Sequence, residues 1–206
     1  MKAWDTIKLG LVLMAYAVAA CAGLAFVYAK TKADIDKQDM VNLEIAIKDL
    51  FPDADNFEDL NGAIASDDSG VIFDKEYCVI RDGKTIGAAI QGSAGSYGGP
   101  IVVLVGVSAD GLISRVKIMS HSDTPGLGAN AGKPNYFVDK KAGVTFYDQF
   151  AGKKTSDQFE AKKDVIAITA ATITSAAVSK VVKAAGEAGS QWLKLETKFA
   201  EQGAGQ

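Results

Sequence analysis

An uninterrupted apolar segment near the amino terminus constrains this sequence more than any other feature. Twenty-one consecutive residues, from Leu9 to Ala29, carry no formal charge. At the helical rise of about 1.5 Å per residue, a run of this length spans roughly the hydrocarbon core of a bilayer. Trp4 and Tyr28 lie near its two ends, where amphipathic rings favour the membrane interface. Residues 9–29 are therefore predicted to form a membrane-spanning helix, preceded by a short segment at 1–8.

Two other interpretations of this segment compete with an uncleaved anchor. Lys2 and Lys8 suit a secretory signal peptide, and Val-Ala-Ala-Cys at 18–21 loosely resembles a lipoprotein cleavage site. The apolar core of a signal peptide, however, has about 7–15 residues, and eight further uncharged residues follow Cys21. We therefore expect the anchor to be retained. Because lysines flank both ends of the run, charge alone does not decide which side of the membrane the domain faces.

The rest of the chain has the size and composition of one globular domain. The chain has 206 residues, of which 48% are hydrophobic, enough for a single domain to bury its own core. A formal net charge of −3 provides no basic field for a phosphate backbone, so nucleic acid is not expected as a partner. Cys78 stands alone outside the apolar run, so no internal disulfide and no metal site are expected.

Hydrophobic periodicity after the anchor predicts a helix followed by a sheet. Apolar residues recur at helical spacing and stop at Pro52, so 30–52 is predicted to be an amphipathic linker helix. Asp, Asn, Ser and Gly dominate the next stretch, which is predicted to be irregular up to Gly70. Four β-rich runs separated by turn sequences then indicate an antiparallel sheet. The runs are 71–80, 85–90, 101–107 and 112–118.

A second helical period begins after Thr174 and predicts a long closing helix behind a strand-like run at 165–168. The predicted fold class is α+β, with an antiparallel sheet and flanking helices. The domain is predicted to extend over 53–198 and to end in a flexible tail at 199–206.

The loop directly after the last β-rich run reads Ser-His-Ser-Asp-Thr-Pro-Gly-Leu-Gly, residues 120–128. Pro125 fixes one φ angle, while Gly126 and Gly128 allow positive φ, so the loop can fold tightly and admit a flat ligand to the main chain. An ordinary turn between strands would use the same residue types. His121 is the only histidine, and we expect it to line the loop or close a turn rather than to bind a metal or act as a general acid.

A second unusual segment, Thr-Ala-Ala-Thr-Ile-Thr-Ser at 169–175, stands where the closing helix begins. Hydroxyl side chains at a helix start cap free amide groups. The same helix end also presents unpaired N–H groups and a positive dipole, which suits a phosphate. Both interpretations remain open from these residues alone.

Three motifs in this order resemble the FMN-binding domain family. They are Tyr-Gly-Gly-Pro-Ile at 97–101, the loop 120–128, and Thr-Ala-Ala-Thr-Ile-Thr at 169–174. The resemblance covers the whole chain, from the anchor to the closing helix, and the chain looks like the G subunits of Rnf electron-transport complexes. The C subunits of sodium-translocating NADH:quinone reductases are also similar, but they are typically longer chains.

The resemblance implies that a flavin transferase moves FMN from FAD onto the final threonine of a segment usually written S/T-G-A-T-x-S/T, here Thr174. Ala170 stands where glycine is usual, and Asp123 where glutamate is common. An unactivated threonine hydroxyl is a poor nucleophile, and the sequence shows no base beside it, so attachment is expected to require that enzyme. The further residues expected to contact the flavin are Tyr97, His121, Asp123, Thr124, Gly126, Leu127, Gly128, Thr169, Ala171, Thr172 and Ile173.

The function implied by the resemblance is that of a one-electron carrier in an ion-translocating ferredoxin:NAD oxidoreductase complex. Its partners would be the other membrane subunits, membrane lipid and the flavin transferase, and its domain would face the extracytoplasmic side of the cell inner membrane. It would turn over no substrate of its own. Two alternatives are a flavin-free membrane scaffold, whose hydroxyl-rich segment only caps a helix, and an independent flavoprotein reductase, which would need a substrate site.

Overall fold

The computed structural model describes residues 3–203 and begins with one long helix, α1, Ala3–Leu50. This helix contains the predicted membrane-spanning segment and residues 30–50 of the predicted linker helix without a break, and it ends two residues earlier than predicted. Among the described residues, α1 is the helix long and apolar enough to cross a membrane, and the side chains of its most apolar stretch are not buried. Residues 1–2 of the predicted first segment and 204–206 of the predicted tail lie outside the described residues.

Contacts divide the chain after Ile45 into two compact units, and the second contains the last turn of α1 together with the domain. The domain is built on five antiparallel strands that neighbour one another in chain order. They are β1 Asn56–Asp59, β2 Val71–Arg81, β3 Lys84–Gly95, β4 Pro100–Ser108 and β5 Ile113–Ser120. The predicted antiparallel sheet and its four long strands are therefore confirmed.

The turn between β2 and β3 shows why these strands form a hairpin. Asp82 and Gly83 have φ angles of +51° and +70°. Two positive φ angles match the right-handed twist of the strands that the turn connects, and the Asp-Gly pair adopts them at low cost. The turn fixes the register, with Arg81 opposite Lys84.

The two faces of the sheet are covered by different helical elements. Apolar residues of β3 and β4, such as Ile90 and Val107, pack against the closing helix, α2, Thr172–Gly203. The opposite face is lined by Gly106 and contacted by Leu50 and Phe51 at the end of α1. Burying both faces leaves the strand ends and connecting loops to form the site.

Several elements differ from the sequence prediction. Strand β1 lies inside the stretch predicted to be irregular, and a small hairpin, β6 Phe137–Asp139 and β7 Val144–Thr145, follows the sheet. Two short 3₁₀ helices occur at Gly128–Gly132 and Asp148–Phe150. The closing helix continues through Gly203, beyond residue 199, where a flexible tail was expected.

The prediction of a strand at 165–168 is wrong, because side chains rather than a neighbouring strand bind this backbone. The Ile166 N–H donates to Gln149 Oε1 at 2.7 Å, and the Ile168 N–H donates to Ser175 Oγ at 2.9 Å. Only an isolated bridge joins Val165 to Ala161. The apolar run is buried at Val165 and Ile168, so its pattern reflects core packing of an irregular segment.

Candidate functional site

Three segments that are far apart in the sequence meet beside one cavity of about 630 Å³. They are the turn between β3 and β4, the loop after β5 and the start of α2. The residues lining the cavity are Tyr97, Asp123, Thr124, Leu127, Gly128, Ala170, Ala171, Thr172, Ile173 and Thr174. Nine of the twelve residues expected to contact a flavin are in this set, together with Ala170.

Thr174 lies in the first turn of α2, two residues after the helix begins at Thr172. Its side chain is 1% exposed, and its Oγ1 donates a hydrogen bond to Asp123 Oδ2 at 2.8 Å. The first N–H groups of a helix have no intrahelical acceptor and form its positive dipole end. The Thr174 hydroxyl is thus located at an anion-favouring position on the cavity wall.

The neighbouring hydroxyl of Ser175 serves the backbone instead. Ser175 Oγ accepts from the Ile168 N–H at 2.9 Å and donates to the Ala171 carbonyl oxygen at 3.0 Å. Ser175 is fully buried and does not line the cavity. Both of its hydrogen bonds close the turn that precedes α2, so Ser175 holds Thr174 in place.

Asp123 is the buried acidic group at the centre of this site. Its carboxylate is 5% exposed and accepts three hydrogen bonds: from Ser96 Oγ at 2.6 Å, from the Gly98 N–H at 2.6 Å and from Thr174. Burial alone would raise the pKa of Asp123, but these donors, together with nearby His121, lower it below its ordinary value. Asp123 is therefore ionised at neutral pH.

Asp123 corrects one conclusion from the sequence, namely that no base accompanies Thr174. The two residues are 51 positions apart, and only the folded chain brings the carboxylate to the hydroxyl. The Asp at the centre of the loop was recognised as a site residue, but nothing in the sequence pairs it with Thr174.

Gly128 allows the loop to approach Thr174 closely. A Cβ atom built at position 128 would overlap Thr174 Oγ1 and would lie 2.8 Å from atoms of Asp123. Any side chain at this position would therefore push the loop away from the hydroxyl. Gly126, which has a φ of +82°, turns the chain just before this approach and does not line the cavity.

Ala170 has a φ of +58°, in the left-handed region. An L-residue other than glycine is strained there by about 1–2 kcal/mol. The family pattern usually has glycine at this position, and the backbone geometry supplies the physical reason. The alanine is nevertheless accommodated, since its neighbour Ala171 donates an N–H bond to the Ile168 carbonyl oxygen at 3.0 Å.

The remaining predicted residues divide between the rim of the cavity and its surroundings. Tyr97, Leu127 and Ile173 are 74%, 41% and 56% exposed, so they present apolar surface at the cavity mouth. His121 and Thr169 do not line this cavity. The Nδ1 atom of His121 is buried and has no hydrogen-bond partner among the described residues, and Thr169 lines an adjacent cavity of about 470 Å³.

The dimensions and chemistry of the main cavity fit FMN. Small-molecule sites are typically 300–1,000 Å³ and mostly apolar, with a few placed polar groups. Here the apolar rim suits a flat aromatic ring, and the start of α2 suits a phosphate. Among the described residues, no group of three or more His, Cys, Asp or Glu side chains could hold a metal ion.

A model of the FMN-binding domain family matches residues 96–187. This span begins at Ser96, which binds Asp123, and includes the loop 120–128 and the start of α2. The fold and the cavity therefore define an FMN-binding domain.

Curated relatives extend the similarity to most of the chain. The G subunit of the proton-translocating ferredoxin:NAD(+) oxidoreductase complex of Clostridium ljungdahlii is 37% identical over 142 residues, which is 67% of this chain and 66% of that protein, just under two thirds of its length. The G subunit of the Na(+)-translocating complex of Acetobacterium woodii is 33% identical over 190 residues, 87% of this chain and 89% of that protein. The G subunit of an ion-translocating oxidoreductase complex from Methanosarcina acetivorans is 29% identical over 174 residues, 83% of this chain and 87% of that protein.

The chain belongs to the family of G subunits of ion-translocating oxidoreductase complexes. Together with the apolar helix α1, this membership makes it a membrane-anchored protein that carries an FMN-binding domain.

Proposed function

We propose that this protein is the electron-carrier subunit of an ion-translocating ferredoxin:NAD oxidoreductase complex and carries FMN as a phosphoester of Thr174. The observation that carries the proposal is the position of the Thr174 hydroxyl, buried in the wall of a cavity of about 630 Å³ at the start of α2. The relatives from Clostridium ljungdahlii and Acetobacterium woodii are G subunits of such complexes, which favours this assignment over the C subunit of a quinone reductase.

Each part of the site has a distinct task in this proposal. FMN supplies the redox chemistry, while the protein orients it and sets its surroundings. The N–H groups at the start of α2 stabilise the phosphate charge, and the ester bond to Thr174 prevents the cofactor from dissociating. Tyr97, Leu127 and Ile173 form the apolar mouth of the cavity, where a ring lies at the surface and close enough to a neighbouring protein of the complex to exchange electrons.

The experiment compares whole complexes that differ in one hydroxyl. A complex with Thr174→Ala should assemble but contain no flavin in this subunit after denaturation, and it should lose ferredoxin-dependent NAD reduction. Thr197→Ala is the matched control and should retain flavin, because Thr197 also lies on α2 and donates its hydroxyl to a backbone carbonyl, that of Leu193, but does not line the cavity. Full electron transfer by the Thr174→Ala complex would exclude the proposed role.

We also propose that the domain lies on the extracytoplasmic side of the membrane, a location that the resemblance to the family supports. A protease that cannot cross membranes, added to intact spheroplasts, should then digest the domain and leave α1. Digestion only after lysis would place the domain in the cytoplasm.

A flavin-free membrane scaffold is a second candidate, favoured by the strained φ of Ala170 in the attachment segment. It predicts no flavin fluorescence on a denaturing gel even after co-expression with a flavin transferase. Covalent fluorescence in wild type, absent from Thr174→Ala, excludes this candidate.

A further inference from the structure

The Thr174–Asp123 contact joins the nucleophilic atom of the proposed modification to a buried carboxylate. The hydroxyl hydrogen is directed at Asp123 Oδ2 across 2.8 Å, within the distance needed for proton transfer. Both side chains line the same cavity. A nucleophile and a base at hydrogen-bonding distance, with the base held by further groups, is the general arrangement of an activated hydroxyl.

The groups around Asp123 hold it in place and keep it ionised. From the β3–β4 turn, the Ser96 hydroxyl donates to Oδ2 and the Gly98 N–H donates to Oδ1. From α2, the Thr174 hydroxyl donates to Oδ2. His121, on the same loop, also lowers the pKa of the Asp123 carboxyl.

We infer that Asp123 is the catalytic base of the protein's own flavin attachment and accepts the Thr174 proton as the hydroxyl oxygen attacks phosphorus. The inference rests on the proposed phosphoester at Thr174. It assigns part of the chemistry to the acceptor protein: the transferase delivers and activates the flavin dinucleotide, while the acceptor supplies a prepared nucleophile.

The reaction balances without an oxidant or reductant. The co-substrate is FAD, a flavin dinucleotide. A bond forms between Thr174 Oγ1 and the flavin-side phosphorus of FAD, and the bond from that phosphorus to the bridging oxygen breaks. AMP leaves, and the proton passes from Thr174 to Asp123 and then to AMP or solvent. The products are the FMN ester of Thr174 and AMP, with the oxidation state of the flavin unchanged.

In this reaction Asp123 acts as a base only once. The ester oxygen has no hydrogen, so the Thr174–Asp123 hydrogen bond is lost, and an anionic phosphate replaces a neutral hydroxyl near the carboxylate. Ser96 and Gly98 still bind Asp123 from the β3–β4 turn. The carboxylate therefore retains two donors when the third is consumed.

The test measures the rate of flavin attachment in vitro, not electron transfer. Full-length protein, expressed without a transferase and purified in detergent, is mixed with purified flavin transferase, Mg²⁺ and FAD, and the product is followed by intact mass and by fluorescence after denaturation. Asp123→Asn keeps the shape of the side chain but cannot accept the proton, so attachment should slow by about 100-fold, within the range for general base catalysis. Asp123→Glu should recover part of the rate.

A second aspartate provides the matched control. Asp148 Oδ2 accepts a hydrogen bond from Thr145 Oγ1 at 2.6 Å, away from the cavity. Asp148→Asn removes a similar contact and should leave the attachment rate within about twofold of wild type. A large loss in this variant would show that the assay responds to general damage to the fold.

The pH profile separates a base from a structural anchor. Each variant rate is divided by the wild-type rate at the same pH, which cancels the contribution of the transferase. Without the base, hydroxide must take the proton, so the wild-type advantage over Asp123→Asn should shrink as pH rises from 6 to 9. A disrupted loop alone would give a ratio independent of pH.

Ser96→Ala keeps the inference testable if Asp123→Asn does not fold. This variant retains the carboxylate but removes the donor to Oδ2, which raises the pKa of Asp123. The pH below which the attachment rate falls should therefore be higher in Ser96→Ala than in wild type. Three results would overturn the inference: attachment at the wild-type rate by Asp123→Asn, a rate ratio that does not change with pH, or the same pH limit in Ser96→Ala as in wild type. Wild-type protein without flavin at Thr174 would instead overturn the proposed function.

Discussion

The domain contains two threonine–aspartate pairs that make similar hydrogen bonds in different settings: Thr174 and Asp123 are both buried, whereas Asp148, the partner of Thr145, is exposed. Thr145 donates to Asp148 at 2.6 Å, and the Asp148 N–H donates back to Thr145 Oγ1 at 3.2 Å, which closes a turn between residues three apart. Thr174 donates to Asp123 at 2.8 Å across 51 positions, and both residues line the main cavity. A hydroxyl–carboxylate contact therefore gains chemical significance from the space beside it and from the other donors to the carboxylate.

The largest expected effect is a loss of flavin attachment when the space beside Thr174 and Asp123 is filled. Gly128→Ala places a methyl group against Thr174 Oγ1 and Asp123, so we expect covalent flavin to fall to less than about a tenth of wild type, since a 1 Å misplacement can cost about 100-fold in rate. Flavin per protein after denaturation measures this. Gly95→Ala is the control, because a Cβ there meets no atom within 4 Å. Equal flavin in both variants would contradict the close approach described at Gly128.

Leu127→Asp tests the apolar mouth of the cavity without touching either pair. A carboxylate there should admit water and disfavour the added negative charge of the reduced ring, so the midpoint potential should fall and the one-electron form should change in stability. The absorption spectrum during redox titration reports both quantities. Flavin attachment itself should remain. Unchanged spectra and potentials would show that the loop is an ordinary turn.

The pH dependence of stability should report the contribution of the Asp123 charge. The folded-state pKa of Asp123 lies below its ordinary value, so its ionised form stabilises the fold above about pH 4, and this contribution is lost as pH falls through the folded-state pKa. The difference in unfolding free energy between wild type and Asp123→Asn should therefore narrow below about pH 4. Urea denaturation of flavin-free protein from pH 3 to 7 measures it. A difference that is constant over this range would refute the stabilising role of the charge.

The smallest effect is expected at Ala170, which lies in the turn before α2. Relief of left-handed strain at its φ of +58° exceeds the entropic cost of glycine, so Ala170→Gly should stabilise the domain by about 0.5 kcal/mol. Ala167→Gly, in the same segment, lacks a positive φ and should destabilise it. If Ala170→Gly lowered the free energy of unfolding in urea titrations, the positive φ of Ala170 would not be a source of strain.

Local patterns in the sequence predicted most of the sheet, because each strand is bounded by its own turn residues. Asp82 and Gly83 encode the β2–β3 turn directly through their positive φ angles. The hydroxyl-rich segment and the loop 120–128 were also recognisable, and the structure brings both to one cavity. In each of these cases, the residues that predict the structure lie within one short segment of the chain.

The features that the sequence could not predict depend on distant side chains. The strand expected at 165–168 is absent because Gln149 and Ser175 satisfy its backbone. The carboxylate partner of Thr174 could not be found from the sequence, because Asp123 comes into contact with it only in the folded chain. Strand β1, Asn56–Asp59, forms in a polar stretch because it pairs with β2, a long-range requirement that residue composition does not encode.

Peptide mapping of wild-type protein tests the central claim most directly. The full-length chain is co-expressed with a flavin transferase, denatured and digested, and the flavin-bearing peptide is fragmented to locate the modified residue. The structure predicts FMN on Thr174, the hydroxyl that lines the cavity and binds Asp123. FMN on Thr172 or Ser175, or a flavin that is released by denaturation, would contradict the assignment.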